Sequence, residues 1–324
     1  MNMIRNENIT IFGMDNSKKL AKEIGGYLDC EIEDIQKTTF ADGEHLLWSN
    51  TTVRNKTVFI ICNTSKPVND NLMDLLIFID SLKRASAKRI ICVMTYYGYS
   101  RQDRKTSGRH PITAKLVADL LEKAGADKII AIDLHNASIQ GFFNIPVDDL
   151  RGQFIFVNEL RNREDKFVIV SPDHGGAVRA RQLSELLNKE ANIAIIDKRR
   201  TGPNVSEIMG VLGDVKDENV IIFDDIIDTG GTIIHAAEAL KKQGAKKIII
   251  AATHGLFSRG FEMFENNPII DEVIITNSID HSDLSHFKKL KELSMAHFLS
   301  LVIEANVNNT SITEIYNDYG KGSI

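Results

Sequence analysis

The sequence contains little cysteine and proline, with three and six residues respectively among 324. The three cysteines, Cys30, Cys62 and Cys92, are widely spaced and make no disulfide scaffold, so we expect buried free thiols in a reducing compartment. No apolar run approaches the roughly 18 residues of a membrane span, and the polar residues 1–8 lack a signal-peptide core. We therefore expect a soluble, cytoplasmic protein without a membrane partner.

An excess of positive charge is also lacking, because 39 Lys and Arg residues face 44 Asp and Glu residues, which gives a formal net charge of −5. This balance argues against a generally basic nucleic-acid binder, although it does not exclude local basic segments. We expect no nucleic-acid partner. At about 150 residues per domain, the length predicts roughly two domains.

Short apolar runs alternate with amphipathic stretches along the chain. The runs are rich in Val and Ile and lack polar alternation, which is typical of strands covered on both faces. The predicted strands are Ile9–Phe12, Val58–Cys62, Ile90–Met94, Ile129–Ile132, Phe167–Val170, Ile193–Ile196, Val220–Phe223, Ile248–Ala251 and Val273–Thr276. The predicted helices are Ser17–Leu28, Asn71–Arg84, Thr113–Lys123, Gly175–Leu187, Thr232–Lys242 and Met295–Glu304. This alternation predicts an α/β fold with mainly parallel sheets flanked by helices.

One internal similarity bears on domain organisation. Leu121–His135 and Leu240–His254 share Leu, Lys, Gly, Ala, Lys, Ile, Ile and a final His at matching positions. Two explanations stay open: the ordinary succession of helix, glycine stop and strand in α/β units, or the duplication of one α/β domain. We predict two similar domains, residues 1–150 and 151–324, with the terminal segment able to pack on the first.

The strongest local signal is IIFDDIIDTGGT at Ile221–Thr232. An apolar strand leads into two adjacent acids, a loop with two glycines and the start of a helix, where free backbone N–H groups attract a phosphate. Asp224 and Asp225 suit sugar hydroxyls or a bridging Mg²⁺ ion, because their own charge repels phosphate. Neither a P-loop nor a Rossmann glycine motif occurs, so those nucleotide-binding classes have no support.

This segment resembles the phosphoribosyl-diphosphate motif of type I phosphoribosyltransferases and of class I ribose-phosphate pyrophosphokinases. Five further segments are similar to the pyrophosphokinases and extend the resemblance over nearly the full length: FADGE at Phe40–Glu44, YYGYSRQDR at Tyr96–Arg104, IDLHNASIQGFF at Ile132–Phe143, SPDHGGA at Ser171–Ala177 and IDKRR at Ile196–Arg200. The resemblance implies two phosphoribosyltransferase-like domains. The implied reaction is transfer of the diphosphoryl group of ATP to the C1 hydroxyl of ribose 5-phosphate, which gives 5-phosphoribosyl 1-diphosphate and AMP.

The resemblance also implies where ribose 5-phosphate binds. Asp224 and Asp225 would bind the ribose hydroxyls. The 5-phosphate would lie in the following loop, which consists of Asp228, Thr229, Gly230, Gly231 and Thr232. Lys198 and Arg200 match a mobile catalytic loop that stabilises charge on the transferring group, and Arg200 would also contact ribose 5-phosphate. The loop signal at residues 202–204 supports a loop position for this basic triplet.

The implied ATP site draws mainly on the first half of the chain. Arg101 and Gln102 match ATP-binding positions, while His135 and Asp173 match contacts to Mg²⁺, the implied cofactor. In the family, the FADGE turn (Phe40, Asp42, Gly43 and Glu44) joins two strands and reaches the adenine site of a neighbouring subunit. The resemblance therefore implies a homo-oligomer, and the family's usual assembly is hexameric. For Tyr96, Tyr97 and Tyr99, base stacking and packing at a strand end both stay open.

Two alternatives remain beside this prediction. A phosphoribosyltransferase would use the same motif to consume 5-phosphoribosyl 1-diphosphate. In that case Arg101, Gln102 and the first half of the chain would have no assigned role. A non-catalytic regulatory paralogue is expected to lose loop residues, whereas Lys198, Arg200 and Asp173 are all present. We therefore predict a Mg²⁺-dependent ribose-phosphate pyrophosphokinase.

Overall fold

The chain folds into two compact units. Its structure, a computed structural model, describes residues 8–187, 192–202 and 205–322, without the side chains of residues 199–202 and 205–208. Among the described residues, the first unit holds 8–151, Ser278–Asp280 and Met295–Thr310, and the second holds Gly152–Asn277, His281–Ser294 and 311–322. The chain thus enters the second unit at Gly152 and returns twice to the first.

The first unit contains a parallel sheet and a separate hairpin. Its elements up to residue 151 are β1 (Ile9–Gly13), α1 (Lys18–Leu28), β2 (Ile35–Thr39), β3 (His45–Ser49), β4 (Thr57–Asn63), α2 (Val68–Arg84), β5 (Arg89–Tyr96), α3 (Thr113–Ala124), β6 (Lys128–Ile132) and β7 (Val147–Leu150). The parallel sheet has the order β1-β4-β5-β6-β7, whereas β2 and β3 pair only with each other. Side chains of α2 and α3 pack against one face of this sheet, as the helical spacing of their apolar residues predicts.

The second unit contains a seven-stranded sheet. Its elements are α4 (Gln153–Arg161), β8 (Phe167–Ser171), α5 (Ala177–Leu187), β9 (Ile193–Gly202), β10 (Val205–Leu212), β11 (Asn219–Ile227), α6 (Gly231–Lys242), β12 (Ile248–Gly255), α7 (Glu262–Glu265), β13 (Glu272–Thr276) and β14 (Leu290–Leu293). The sheet order is β10-β9-β8-β11-β12-β13-β14. β10 pairs antiparallel with β9, and the other neighbours pair in parallel.

Two further helices complete the chain, and each belongs to a different unit. Helix α8 (Ala296–Asn308) lies in the first unit, where it packs against α1 and brings His297 to a ring distance of 5.0 Å from Tyr27. Helix α9 (Ile312–Lys321) lies in the second unit, where Tyr316 stacks on Phe154 at 4.7 Å. In the described ranges, no helix has both the length and the apolar character needed to cross a bilayer.

The predicted strands and helices all coincide with observed elements, but one loop prediction is wrong. Lys198, Arg199 and Arg200 lie on β9, whose backbone continues to Gly202 because β10 pairs with it. In this pairing Lys198 is opposite Ile208 and Arg200 is opposite Ser206. Pro203 and Asn204, which carried part of the loop signal, lie outside the described residues.

The internal similarity falls on equivalent elements of the two units. Leu121–His135 covers the end of α3 and strand β6, and Leu240–His254 covers the end of α6 and strand β12. In both units the helix joins two neighbouring parallel strands, β5 to β6 and β11 to β12. The repeated sequence therefore encodes the same supersecondary unit twice.

The cysteines are free thiols, as predicted, but they differ in burial. Cys62 and Cys92 are buried in the first sheet, and burial raises the pKa of Cys92 to about 12. Cys30 is only partly buried, because it follows α1 in a turn where its N–H donates to Gly25. The prediction that all three thiols are buried is therefore wrong for Cys30.

Candidate functional site

The predicted phosphate loop joins β11 to α6 at the carboxyl edge of the second sheet. Helix α6 begins at Gly231, and its N-cap residue Gly230 has no side chain that could cap the N–H groups of the first turn. Gly230 has a φ of 80°, and a Cβ atom on it would lie 2.6 Å from Cζ of buried Phe264. At Gly231 a Cβ atom would meet nothing within 4 Å. The fold itself requires glycine at 230, whereas Gly231 leaves open space at the start of a helix with a glycine N-cap, which suits an anion.

Side chains from other segments also hydrogen bond to this loop. The Ser258 hydroxyl donates a hydrogen bond to the carboxylate of Asp228, and the Ser258 N–H donates to the Asp228 carbonyl at 3.3 Å. Lys198 Nζ donates to Thr232 Oγ1 at 3.3 Å, so β9 brings a positive charge to the first turn of α6. Sequence reasoning found Lys198 but missed Ser258, since a lone serine after β12 carries no recognisable signal.

The two adjacent acids lie near the end of β11 and share one counter-charge. Arg179 Nη1, on the first turn of α5, donates to Asp224 Oδ1 at 3.1 Å and to Asp225 Oδ1 at 3.0 Å. Asp225 is buried, and 24% of the Asp224 side chain is exposed. Desolvation and the charge of Asp225 raise the pKa of Asp224 well above its ordinary value, while Arg179 opposes that rise. One acid of the pair therefore remains accessible to a ligand.

Arg179 is a site residue that the sequence analysis missed. Its position in an amphipathic helix is typical of a solvated cation. The available signal was topological: α5 follows β8, and β8 is the direct neighbour of β11 in the sheet. A side chain on the first turn of α5 therefore lies at the same sheet edge as Asp224 and Asp225.

Asp173 lies in the turn between β8 and α5, where its carboxylate is held in place. Asp173 Oδ1 accepts the N–H of Gly176 at 3.0 Å, and Ser171 Oγ donates to the Asp173 carbonyl at 2.6 Å. A Cβ atom on Gly176 would lie 2.7 Å from Ser171 Oγ, which explains the glycine. The adjacent His174 Nε2 lies 3.0 Å from Asp197 Oδ1. The Gly176 N–H therefore has an internal acceptor.

In the first unit, the Arg101–Gln102 segment follows β5 and is tied to α3. The Gln102 carbonyl accepts the N–H of Ala114 at 3.2 Å, and Gln102 Oε1 accepts a hydrogen bond from Thr113 at 2.6 Å. Tyr96 and Tyr97 are buried, and the Tyr97 hydroxyl donates to the Ala114 carbonyl at 2.9 Å. These two rings therefore pack at the strand end and do not present a face for base stacking.

The same segment is linked to the turn after β6, which carries the predicted metal contact His135. Asn136 Nδ2 donates to Asp103 Oδ2 at 2.6 Å. Arg104 hydrogen bonds to the Asp103 carboxylate and is the main cause of its lowered pKa, to which the charge of His135 also contributes. The structure thus brings the Arg101–Gln102 turn and the end of β6 together within one unit.

The FADGE turn joins β2 to β3, as predicted. The Phe40 N–H donates to the Glu44 carbonyl at 2.8 Å, and the Gly43 N–H donates to the Phe40 carbonyl at 3.0 Å. Gly43 has a φ of 93°, which favours glycine. The Phe40 side chain is 48% exposed although it is large and apolar. The turn therefore leaves a large aromatic ring exposed.

Two predicted assignments, the role of Arg200 and a metal contact by His135 and Asp173, stay predictions. The side chain of Arg200 lies outside the described residues. His135 belongs to the first unit and Asp173 to the second, and within the described ranges no group of three or more His, Cys, Asp or Glu residues is arranged to hold a metal.

Comparisons with known proteins show which family the sequence resembles. A model of the N-terminal domain of ribose phosphate pyrophosphokinase matches residues 9–125, and a phosphoribosyl transferase domain model matches residues 148–266. Ribose-phosphate pyrophosphokinase of Mycoplasmopsis pulmonis is 57% identical over 314 residues, which cover 97% of this chain and 98% of that protein. The Thermotoga maritima protein of the same name is 47% identical over 311 residues, with 94% and 97% covered.

A solved structure shows the same architecture. Phosphoribosylpyrophosphate synthetase from Mycobacterium smegmatis matches with a TM-score of 0.83 and 37% identity, over 94% of this chain and 100% of that one. Both units are therefore domains of the phosphoribosyltransferase type. The chain belongs to the ribose-phosphate pyrophosphokinase family of enzymes. The predicted fold class and family are confirmed, and these matches favour neither alternative.

Proposed function

We propose that the chain transfers the β,γ-diphosphoryl group of ATP to the C1 hydroxyl of ribose 5-phosphate and releases AMP. The observation that supports this most directly is the β11–α6 loop. There the start of α6 with its N-cap glycine, the open space at Gly231 and the ammonium group of Lys198 lie together, directly after the strand that carries the two acids. Phosphate binding by the loop and hydroxyl binding by the acids fit a sugar phosphate.

In this proposal, ribose 5-phosphate is held at both ends. The N–H groups at the start of α6 and the hydroxyls of Thr229 and Thr232 bind the 5-phosphate. Asp224, the accessible acid, accepts hydrogen bonds from the ribose hydroxyls, while Arg179, which also contacts the buried Asp225, holds the Asp224 carboxylate in place. Ser258 keeps the loop in shape through Asp228. Contacts at the two ends of the sugar thus orient the C1 hydroxyl for attack on the diphosphoryl group. Such positioning is the main contribution of the protein in phosphoryl transfer.

We assign to Lys198 and Arg200 the stabilisation of negative charge on the diphosphoryl group during its transfer. Lys198 is the described member of the pair, and it lies on an antiparallel hairpin that extends from the edge of the sheet. We assign ATP binding to Arg101 and Gln102 and to the exposed turn formed by Phe40, Asp42, Gly43 and Glu44. These assignments rest on the matched motifs and on the exposure of Phe40.

The residues present fit magnesium that arrives with ATP. Mg²⁺ is usually bound through one or two carboxylates together with substrate phosphates. Asp173 offers an oriented carboxylate, and we assign His135 to the phosphate and metal contacts of ATP. The other ligands of such an ion would be phosphate oxygens and water. When bound, the ion would neutralise negative charge on the phosphates.

The direct test is to follow AMP release by the purified full chain with ATP, Mg²⁺ and ribose 5-phosphate. We expect AMP and phosphoribosyl diphosphate in equal amounts, and no AMP when ribose 5-phosphate is omitted. Release of AMP at the same rate without the sugar would contradict the proposal. Consumption of added phosphoribosyl diphosphate with a nucleobase would instead favour a phosphoribosyltransferase.

Replacing Asp224 with Asn should weaken substrate binding and stabilise the fold. Loss of a hydrogen bond to a charged group should raise the KM for ribose 5-phosphate about 10- to 100-fold. The raised pKa of Asp224 means that the native state holds its proton to higher pH than the unfolded chain does. The stability associated with this group therefore falls from about pH 4 upward and is lost once the pH passes the raised pKa.

Thermal melting and steady-state kinetics at several pH values check this prediction. Asp224→Asn should melt above the wild type at neutral pH, and the difference should shrink toward pH 4. Asp214→Asn, in an exposed turn of the same unit, is the matched control and should change neither quantity. An Asp224→Asn enzyme with unchanged KM and kcat would remove Asp224 from the ribose site.

We also propose that the chain assembles into a homo-oligomer, with a hexamer as the expected form, in the cytoplasm. Large apolar side chains are exposed on the first unit, including Met73 on α2 and Leu116 and Leu120 on α3. Neighbouring exposed apolar residues favour burial in an interface. Light scattering on the purified protein measures the mass, and a single chain of 36.2 kDa would contradict the proposal.

A further inference from the structure

The hairpin that carries the FADGE turn is attached to the first unit through one buried carboxylate. Asp74 lies on α2 with only 5% of its surface exposed. Lys37 Nζ, from β2, donates to Asp74 Oδ2 at 2.6 Å. His45 Nδ1, from β3, lies 2.5 Å from Asp74 Oδ1, so the imidazole donates its Nδ1 proton to the carboxylate. Each carboxylate oxygen thus holds a different strand.

The hairpin depends on this attachment because it has few other anchors. β2 and β3 pair only with each other, and an isolated two-stranded hairpin is marginal in water. Of the side chains on the two strands, only Leu47 is fully buried, within the core cluster that also contains Leu75 and Phe78 of α2. Ile35 of β2 is partly buried against the same cluster. Ile35 and Leu47 thus anchor the part of the hairpin farther from the turn, whereas the contact of His45 with Asp74 anchors the part next to the turn.

Lys37 and His45, the two donors to Asp74, lie near the base of the FADGE turn. Thr39 is the cross-strand partner of His45, and Lys37 is the partner of Leu47. Both donors therefore lie close to the segment Phe40–Glu44, whose internal hydrogen bonds make it follow the strands. A buried carboxylate tolerates little movement of its partners, because separation would leave its charge uncompensated.

We infer that Asp74 is a positioning residue for ATP binding: it holds both strands of the hairpin so that the turn presents Phe40, Asp42 and Glu44 in one orientation. This inference rests on the proposed role of the turn in ATP binding. A positioning role predicts that loss of Asp74 affects ATP and leaves ribose 5-phosphate binding unchanged, since the ribose site is built by the second unit.

The test uses Asp74→Asn in the full chain, because asparagine keeps the volume but loses the charge and one acceptor atom. The KM for ATP should rise about tenfold or more, since small misplacements of binding groups are costly. The KM for ribose 5-phosphate should stay within about twofold. The matched control is Asp80→Asn on the same helix, where the carboxylate is exposed and pairs with Arg84.

The chain offers a second readout that is specific to the hairpin. Its only tryptophan, Trp48, lies on β3 with its Nε1 donating to Asn50 at 3.1 Å. Acrylamide quenching of Trp48 fluorescence should increase in Asp74→Asn, because a released hairpin exposes the ring more often, and should be unchanged in Asp80→Asn. This measurement needs no substrate and therefore reports on the attachment independently of the proposed function.

Phe40→Ala separates the possible failures. If Phe40→Ala raises the KM for ATP and Asp74→Asn does not, Asp74 has no positioning role. If Phe40→Ala itself leaves the KM for ATP unchanged, the proposed ATP contact of the turn fails, and with it the role of Asp74 toward ATP. If Asp74→Asn raises both KM values equally, its effect is general and the inference is overturned.

A milder variant covers the case in which Asp74→Asn does not fold. Lys37→Met keeps the aliphatic stem and removes one of the two contacts, so a smaller rise in the KM for ATP is expected with the same quenching change. In a folded Asp74→Asn protein, adding Lys37→Met should cause no further rise, because both changes break the same link. An additive rise would overturn the assignment of Lys37 to this link.

Discussion

Replacing Lys198 with Ala is expected to lower kcat by at least about 100-fold while the protein stays folded. The side chain lies on the β9–β10 hairpin and donates a hydrogen bond to Thr232 at 3.3 Å. Removing it therefore takes little from the core. In the proposed reaction, however, a positive charge beside the transferring group offsets negative charge that develops there, and water does not replace a preorganised donor.

Steady-state kinetics with each substrate varied distinguishes this role from simple binding of the 5-phosphate. A catalytic role lowers kcat, whereas a purely binding role raises the KM for ribose 5-phosphate and leaves kcat unchanged. Lys198→Arg should retain part of the activity because it keeps the charge. Lys242→Ala, an exposed lysine at the far end of α6, serves as the control and should behave like the wild type. A Lys198→Ala enzyme with wild-type kcat would exclude the assigned role.

The sequence was sufficient to predict the alternating elements and the phosphate loop, because both depend on short-range patterns. Uninterrupted Val and Ile runs identify parallel strands covered on both faces, and DTGGT before a helix identifies an anion site. Gly230 shows why the second pattern is reliable: its φ of 80° and the ring of Phe264 allow no side chain there. Anion binding by the loop and the packing of the fold both require glycine at position 230.

What the sequence did not reveal depends on contacts between distant segments. Arg179 contacts Asp224 and Asp225 across 45 and 46 positions, and Asp74 contacts Lys37 across 37. None of these pairs follows a helical or strand period, so no pattern predicts them. The strand position of Lys198 was missed for the same reason, because β10 extends β9 through cross-strand hydrogen bonds that the local glycine and proline signals obscure.

Replacing Gly230 with Ala is expected to raise the KM for ribose 5-phosphate about 100-fold and to destabilise the protein by about 1–3 kcal/mol. A methyl group there would lie 2.6 Å from Phe264 Cζ and 3.0 Å from Met263 Sδ. The loop or the buried ring must then move, and alanine also resists the left-handed backbone conformation. Either shift misaligns the N–H groups at the start of α6 that bind the 5-phosphate in the proposed site.

The chain provides a control that separates backbone strain from damage to the site. Gly244, after the carboxyl end of α6, has a φ of 91°, and a Cβ there would come no closer than 3.4 Å to Lys216. Gly244→Ala should therefore share the strain and lower the melting temperature, while the KM for ribose 5-phosphate stays within about twofold of the wild type. If both variants raised this KM equally, the effect of Gly230→Ala would be one of stability alone. A large rise confined to Gly230→Ala, measured at a temperature where both proteins are folded, ties ribose 5-phosphate binding to the geometry of the β11–α6 loop.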